Sequence, residues 1–145
     1  MKKNIIVVLI LMLLLTGCGN NESEKKFVLN DGVNVIEKKL SNMEELQDTT
    51  LTDAYNMDLD LFEEHVFKQN SDGDFYAIIK PVDKGKVKSN MGEFFERVRE
   101  FNSSYSPERL QLLENRVEKE LDGYLIYIIA NDSDSIYDSI LDSLN

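Results

Sequence analysis

The chain has 145 residues, and its 27 aspartates and glutamates outnumber 16 lysines and arginines for a formal net charge of −11. That sign excludes the electrostatics of a nucleic-acid binder, which needs clustered cations to displace counterions from phosphate, and it opposes adsorption onto anionic lipid head groups. One cysteine in the whole chain leaves no disulfide framework and no thiolate metal cluster.

In chain order, the first segment is a targeting signal. Lys2 and Lys3 form a basic start, Ile5 to Leu15 is an unbroken apolar run of 11 residues, and Leu15-Thr16-Gly17-Cys18 ends it with small residues before the cysteine. A basic start, an apolar stretch of roughly 7–15 residues and a small-residue processing site define a secretory signal. The run is shorter than the about 20 residues a spanning helix needs. Leu15 to Cys18 resembles the lipobox of bacterial lipoproteins. In that family the cysteine thiol takes a diacylglyceryl group and cleavage leaves the cysteine as the new N-terminus. The resemblance makes Cys18 the lipid-attachment residue and the membrane a partner held through its diacylglyceryl lipid. Several acyl chains on one residue anchor stably where one chain does not. The expected location is the outer face of the cell membrane. Removing residues 1–17 takes away Lys2 and Lys3 and no acid, so 14 bases face 27 acids and the mature charge becomes −13.

Gly19 to Asn30 is polar until Phe27-Val28-Leu29 and reads as a tether, with an r.m.s. reach of about 20 Å as a flexible coil. The expected organisation is a cleaved signal over 1–17, a lipidated N-terminus and polar tether over 18–30, and one domain over 31–145. Val33, Ile36, Leu40, Met43 and Leu46 recur at helical steps after a capping Asp31. Thr49-Thr50 starts a short second helix carrying Leu51, Ala54 and Tyr55, closed by a left-handed Asn56. Asp60 to Gln69 is a weakly patterned strand, Ser71-Asp72-Gly73-Asp74 a hairpin turn, and Phe75 to Val82 a strand apolar on both faces, hence central. Pro81 marks the end of its ladder.

Val87, Met91, Phe94, Phe95, Val98 and Phe101 then form one apolar helical stripe, with Arg97 and Arg99 among the charges around it. Ser106-Pro107-Glu108 restarts a helix after an interruption. Val117 and Leu121 alternate with charges toward Asp122-Gly123, a second two-residue hairpin signal, and Tyr124 to Ala130 is a buried strand. Asp132 or Ser133 caps a last helix with Ile136, Tyr137, Ile140, Leu141 and Leu144 inward. These elements predict an α+β fold: a four-stranded, mainly antiparallel sheet made of two hairpins, with helices packed on one face.

Residues 51–144 resemble a family of bacterial lipoproteins grouped as domain of unknown function 4358. The resemblance rests on the lipobox, on Leu51-Thr-Asp-Ala-Tyr-Asn-Met-Asp58 and on the strand-then-helix at 75–101. Tyr105-Ser106-Pro107 and Gly123-Tyr124 add to it. It implies the same fold and the same location, and it carries no activity, ligand or catalytic residue.

The sequence offers little chemistry. Asn70, Asp72 and Asp74, and likewise Asp132 and Asp134, alternate as a calcium loop begins. Neither run has the glycine at position six or the glutamate at position twelve that such a loop needs. The first is better explained as a hairpin turn and the second as a helix cap. His65, the sole histidine, lies beside Glu63 and Glu64 without further ligands or an oriented nucleophile in view. No nucleophile elbow and no phosphate-cradling glycine pattern occurs. Twenty-seven acids leave paired carboxylates open, although the chain is small and has no tryptophan for a sugar cleft. Tyr55 and Tyr105, both at helix ends, are the aromatics that stand out: a small-molecule or peptide groove is one reading, and a packed ring with its hydroxyl tied to backbone is the favoured one. No catalytic residue, metal or cofactor is expected. The function implied is a non-enzymatic, membrane-anchored accessory or binding domain with an envelope protein as possible partner and no nucleic acid. The alternatives are a small-ligand lipoprotein for a cationic solute, and a hydrolase with an unfamiliar site.

Overall fold

A computed structural model describes residues 25–103 and 106–145. The expected signal over 1–17, the expected lipid-attachment residue Cys18 and Tyr105 lie outside the described residues. Five helices, one 3-10 turn and five strands follow in order: α1 (Leu29–Glu37), β1 (Glu44–Glu45), α2 (Asp48–Asp53), the 3-10 turn Leu59–Leu61, β2 (Phe62–Gln69), β3 (Phe75–Pro81), α3 (Lys84–Ser103), α4 (Pro107–Glu114), β4 (Val117–Leu121), β5 (Tyr124–Ile129) and α5 (Ser133–Asp142). Among the described residues no helix is long and apolar enough to cross a membrane.

The sheet is antiparallel throughout, in the order β1-β2-β3-β5-β4. The α+β reading and the two hairpins hold; two details of the expected fold do not. The sheet has five strands rather than four, because the helical spacing from Val33 to Leu46 spans two elements. The helix stops at Glu37, Asn42 turns the chain through a left-handed conformation (φ 56°), and Glu44–Glu45 pairs with Lys68 and Gln69. The helices also cover both faces rather than one. Strands β3 and β5 are apolar on both sides, and every apolar face must be shielded from water. Phe67, Phe75, Ala77, Ile79, Leu125 and Tyr127 pack under Leu51, Val87, Met91, Phe94, Phe95 and Leu113 from α2, α3 and α4. On the reverse side Tyr76, Ile78, Ile126 and Ile128 pack under Ile36, Ile136 and Ile140 from α1 and α5.

Local chemistry explains the joints. Asp122-Gly123 forms a two-residue turn with both residues left-handed (φ 48° and 85°), and Leu121 faces Tyr124 across it. Asp83 starts α3 by accepting the Lys86 amide. Pro107 occupies the first turn of α4, and Ser106 and Asp132 stand at the N-caps of α4 and α5 without a side-chain cap bond. Glu37 ties α1 to the sheet, accepting hydrogen bonds from Lys68 Nζ and the Tyr76 hydroxyl. The Lys68 hydrogen bond holds the Glu37 carboxyl below its usual range, against the opposing effect of burial. Burial, with Glu37 beside it, pushes the Tyr76 phenol up.

The packed body also begins upstream of Asp31. Phe27 is 3% exposed, its ring meets Tyr124 edge-on at 5.3 Å, and its amide donates to Asp122 Oδ2 at 2.7 Å. Asp31, the expected cap, sits inside α1 and pairs with Lys25 at 3.0 Å.

Candidate functional site

One cleft follows from a mismatch in element lengths; a more open, polar concavity of about 570 Å³ lies apart from it, between Asn115-Arg116 and the start of α5. Helix α3 has 20 residues, about 30 Å at 1.5 Å per residue, whereas the seven residues of β3 span only about 23 Å. The helix runs back along β3 and overshoots it. Phe94 stacks on Phe75 at the strand's start, with ring centres 5.3 Å apart. Seven residues on, about 10 Å further along the axis, Phe101 stands beyond the sheet with 68% of its surface exposed. The apolar stripe was expected to be core throughout, and for Phe94 and Phe95 it is. Phe101 departs from that expectation because no strand lies beneath the last two turns.

The space under the overhang is a cleft of about 510 Å³, within the roughly 300–1,000 Å³ of small-molecule sites. Its floor is Phe75, Phe94, Leu113 and Ile129. Tyr55, singled out by its place at a helix end, forms one wall with Ala54. Its ring leans on Phe94 at 4.6 Å, and burial pushes its phenol up. The β2–β3 turn forms the opposite lip. Asn70 Oδ1 accepts the amides of Asp72 and Asp74, and Asn70 Nδ2 donates to Asp74 Oδ2 at 3.0 Å. The alternating Asn70, Asp72 and Asp74 are therefore turn scaffolding.

Arg109 from α4 closes this lip. Its guanidinium donates to the Ser71 carbonyl at 2.7 Å. A Cβ at Gly73 would stand 2.8 Å from Arg109 Nε, and Gly73 has φ +95°. Glycine is thus required twice at one position, for the turn and for the crossing side chain. Arg97 of α3 completes the rim with Asn102, which is buried. Neither arginine was identifiable from the sequence, where Arg97 reads as one more solvated helix charge.

The other candidates lie apart from the cleft. His65 sits between Phe62 and Phe67 and reaches Asp48 Oδ1 at 3.0 Å. Its expected neighbour Glu63 instead pairs with Lys80 at 2.9 Å, because a bulge between Phe62 and Glu64 breaks the alternation. Asp132 and Asp134 lie at the start of α5, where Ser133 donates to the Asn115 carbonyl. Among the described residues no group of three or more His, Cys, Asp or Glu side chains converges to hold a metal ion.

The cleft and the chain's entry point lie at opposite ends of the sheet. Phe75 faces Ile129 at the cleft end, whereas Tyr124 adjoins Asp122, which holds the Phe27 amide. Five steps of β5 separate the two ends, about 17 Å.

The family model described as Domain of unknown function (DUF4358) matches residues 37–130, which include all five strands and every residue of the cleft floor. No curated protein and no solved structure matches the chain.

Proposed function

The chain belongs to the family described as Domain of unknown function (DUF4358), and we propose that it is a lipid-anchored extracytoplasmic lipoprotein whose globular part is a non-enzymatic binding domain. The observation that carries the reading is the cleft: a concavity of about 510 Å³ with an aromatic floor and a polar rim, assembled from the end of α2, α3, α4 and the β2–β3 turn. Its position supports the anchored reading. Cys18 stands nine positions before Phe27, and Phe27 docks at the sheet end away from the cleft. A body held from that end turns its cleft outward, and a mature charge of −13 repels it from anionic head groups. The lining favours binding over hydrolysis. Among the described residues it includes no histidine and no cysteine, and its one carboxylate, Asp74, is engaged by Asn70.

Two experiments test this reading. Cys18→Ala in the full-length chain should abolish lipid attachment and move the protein out of the detergent-extracted lipoprotein fraction. Retention there with unchanged mass rejects the anchor. For the cleft, Ala54→Trp places an indole into the concavity from an exposed position. Small molecules released from the wild-type protein purified from membranes should include one at near-stoichiometric yield that falls at least about tenfold in the variant, the loss expected when a closely packed apolar contact is blocked. Equal recovery from both proteins rejects the cleft as the binding site.

A further inference from the structure

The four arginines of the chain divide into two pairs by location. Arg99 reaches Glu96 at 3.6 Å and Glu114 at 3.9 Å, and Arg116 reaches Glu118 at 2.6 Å while lying over the Phe95 ring at 4.5 Å. Neither lines the cleft. Arg97 and Arg109 both line it, and among the described residues neither has a carboxylate within ion-pair distance. Chance does not make that arrangement easy in a protein with 27 acids. Arg97 has Glu93 four residues before it and Glu100 three after it, and a glutamate four residues N-terminal to a cation is the favoured helical pairing. Arg97 forgoes that pairing and stays at the rim. With Asp74 as the only carboxylate in the lining among the described residues, the cleft carries one excess positive charge in a chain of net −11.

We propose that this cleft binds a small amphipathic carboxylate, its apolar body against the part-exposed Tyr55 and Val98 and its anionic head on Arg97. The proposal deepens the binding reading above and rests on it. An arginine fork meets a carboxylate through two parallel hydrogen bonds, and the part-exposed apolar wall at Tyr55 and Val98 rewards an apolar body by removing it from water. A cationic solute, the ligand the acidic composition alone suggests, would have to approach a cleft with one excess positive charge. Arg109 shapes the site differently: its bond to Ser71 and its passage over Gly73 commit it to the lip, which leaves Arg97 as the group that meets the ligand.

The test is a matched pair of probes, 4-phenylbutyrate and 4-phenylbutylamine, titrated into the full-length protein in lipid nanodiscs with empty nanodiscs subtracted. The carboxylate should bind at least about tenfold more tightly than the amine, the scale of one charge-assisted contact. Arg97→Ala, at an exposed position, should remove that preference, whereas Arg99→Ala should leave it intact. Equal binding of the two probes, or a preference that survives Arg97→Ala, overturns the anion assignment and leaves the cleft as a binding site. Failure of both probes to bind overturns the proposal, and the Ala54→Trp comparison then decides separately whether the cleft reading falls with it.

Discussion

Phe94→Ala is expected to cost about 3–5 kcal/mol of stability, the range for removing a fully buried aromatic ring from a packed core. The side chain is 2% exposed and joins the cleft to the core. Its ring lies 4.6 Å from Tyr55, 5.3 Å from both Phe75 and Phe95, and 6.4 Å from Phe67. Tilted and edge-on aromatic pairs add about 0.5–1.5 kcal/mol each beyond the area they bury, so the loss should fall in the upper part of the range. A domain of this size holds only about 5–15 kcal/mol in total. Chemical denaturation followed by circular dichroism should show a midpoint lowered by more than about 1 M urea. Phe101→Ala, three residues past Val98 on the same stripe but largely exposed, should cost far less. Equal losses at 94 and 101 would mean that the stripe is core to its end and that the helix does not overhang the sheet.

That contrast shows where the sequence could be read and where it could not. The period of apolar residues reports which side of a helix turns inward, and on that basis Phe94 and Phe95 were placed correctly. It does not report how long the opposing strand is, so Phe101 was misplaced and the cleft under it went unseen. Turns written in two to five consecutive residues, such as Asp122-Gly123 and the left-handed Asn56 (φ 55°), were legible because their geometry is local. Tyr55 was reachable for the same reason: its place at a helix end is a local fact. The remaining features depend on pairs far apart in the chain. Asp48 meets His65 across 17 residues, Arg109 meets Ser71 across 38, and Phe27 meets Asp122 across 95. Helical spacing likewise ran through Asn42 into β1, because a sheet edge is recruited by its partner strand rather than by its own two residues. Covering helices on both faces, by contrast, follows from the doubly apolar β3 and β5 as soon as each face is required to bury itself.

Gly32→Ala tests the longest of those connections. In an exposed helix the change would gain up to about 1 kcal/mol, yet here it is expected to destabilise the protein by about 1–3 kcal/mol, the usual cost of overpacking. A Cβ at Gly32 would lie 2.5 Å from Phe27 Cζ and 2.8 Å from Ile78 Cδ1. Ile78 is fully buried in the central strand, which leaves the Phe27 ring as the part that must yield. Moving that ring disturbs its edge contact with Tyr124 and pulls on the amide that Asp122 accepts. Hydrogen exchange at the Phe27 amide should therefore quicken in Gly32→Ala. A double-mutant cycle isolates the contact: combined with Phe27→Ala, which removes the obstructing ring, the Gly32→Ala cost should shrink by at least about 1 kcal/mol, the scale of coupling between touching residues. Strict additivity would place the strain elsewhere. The contact lies at the end of the sheet away from the cleft. Loosening it leaves the cleft residues in place, so binding of a carboxylate probe should persist in Gly32→Ala even as stability falls.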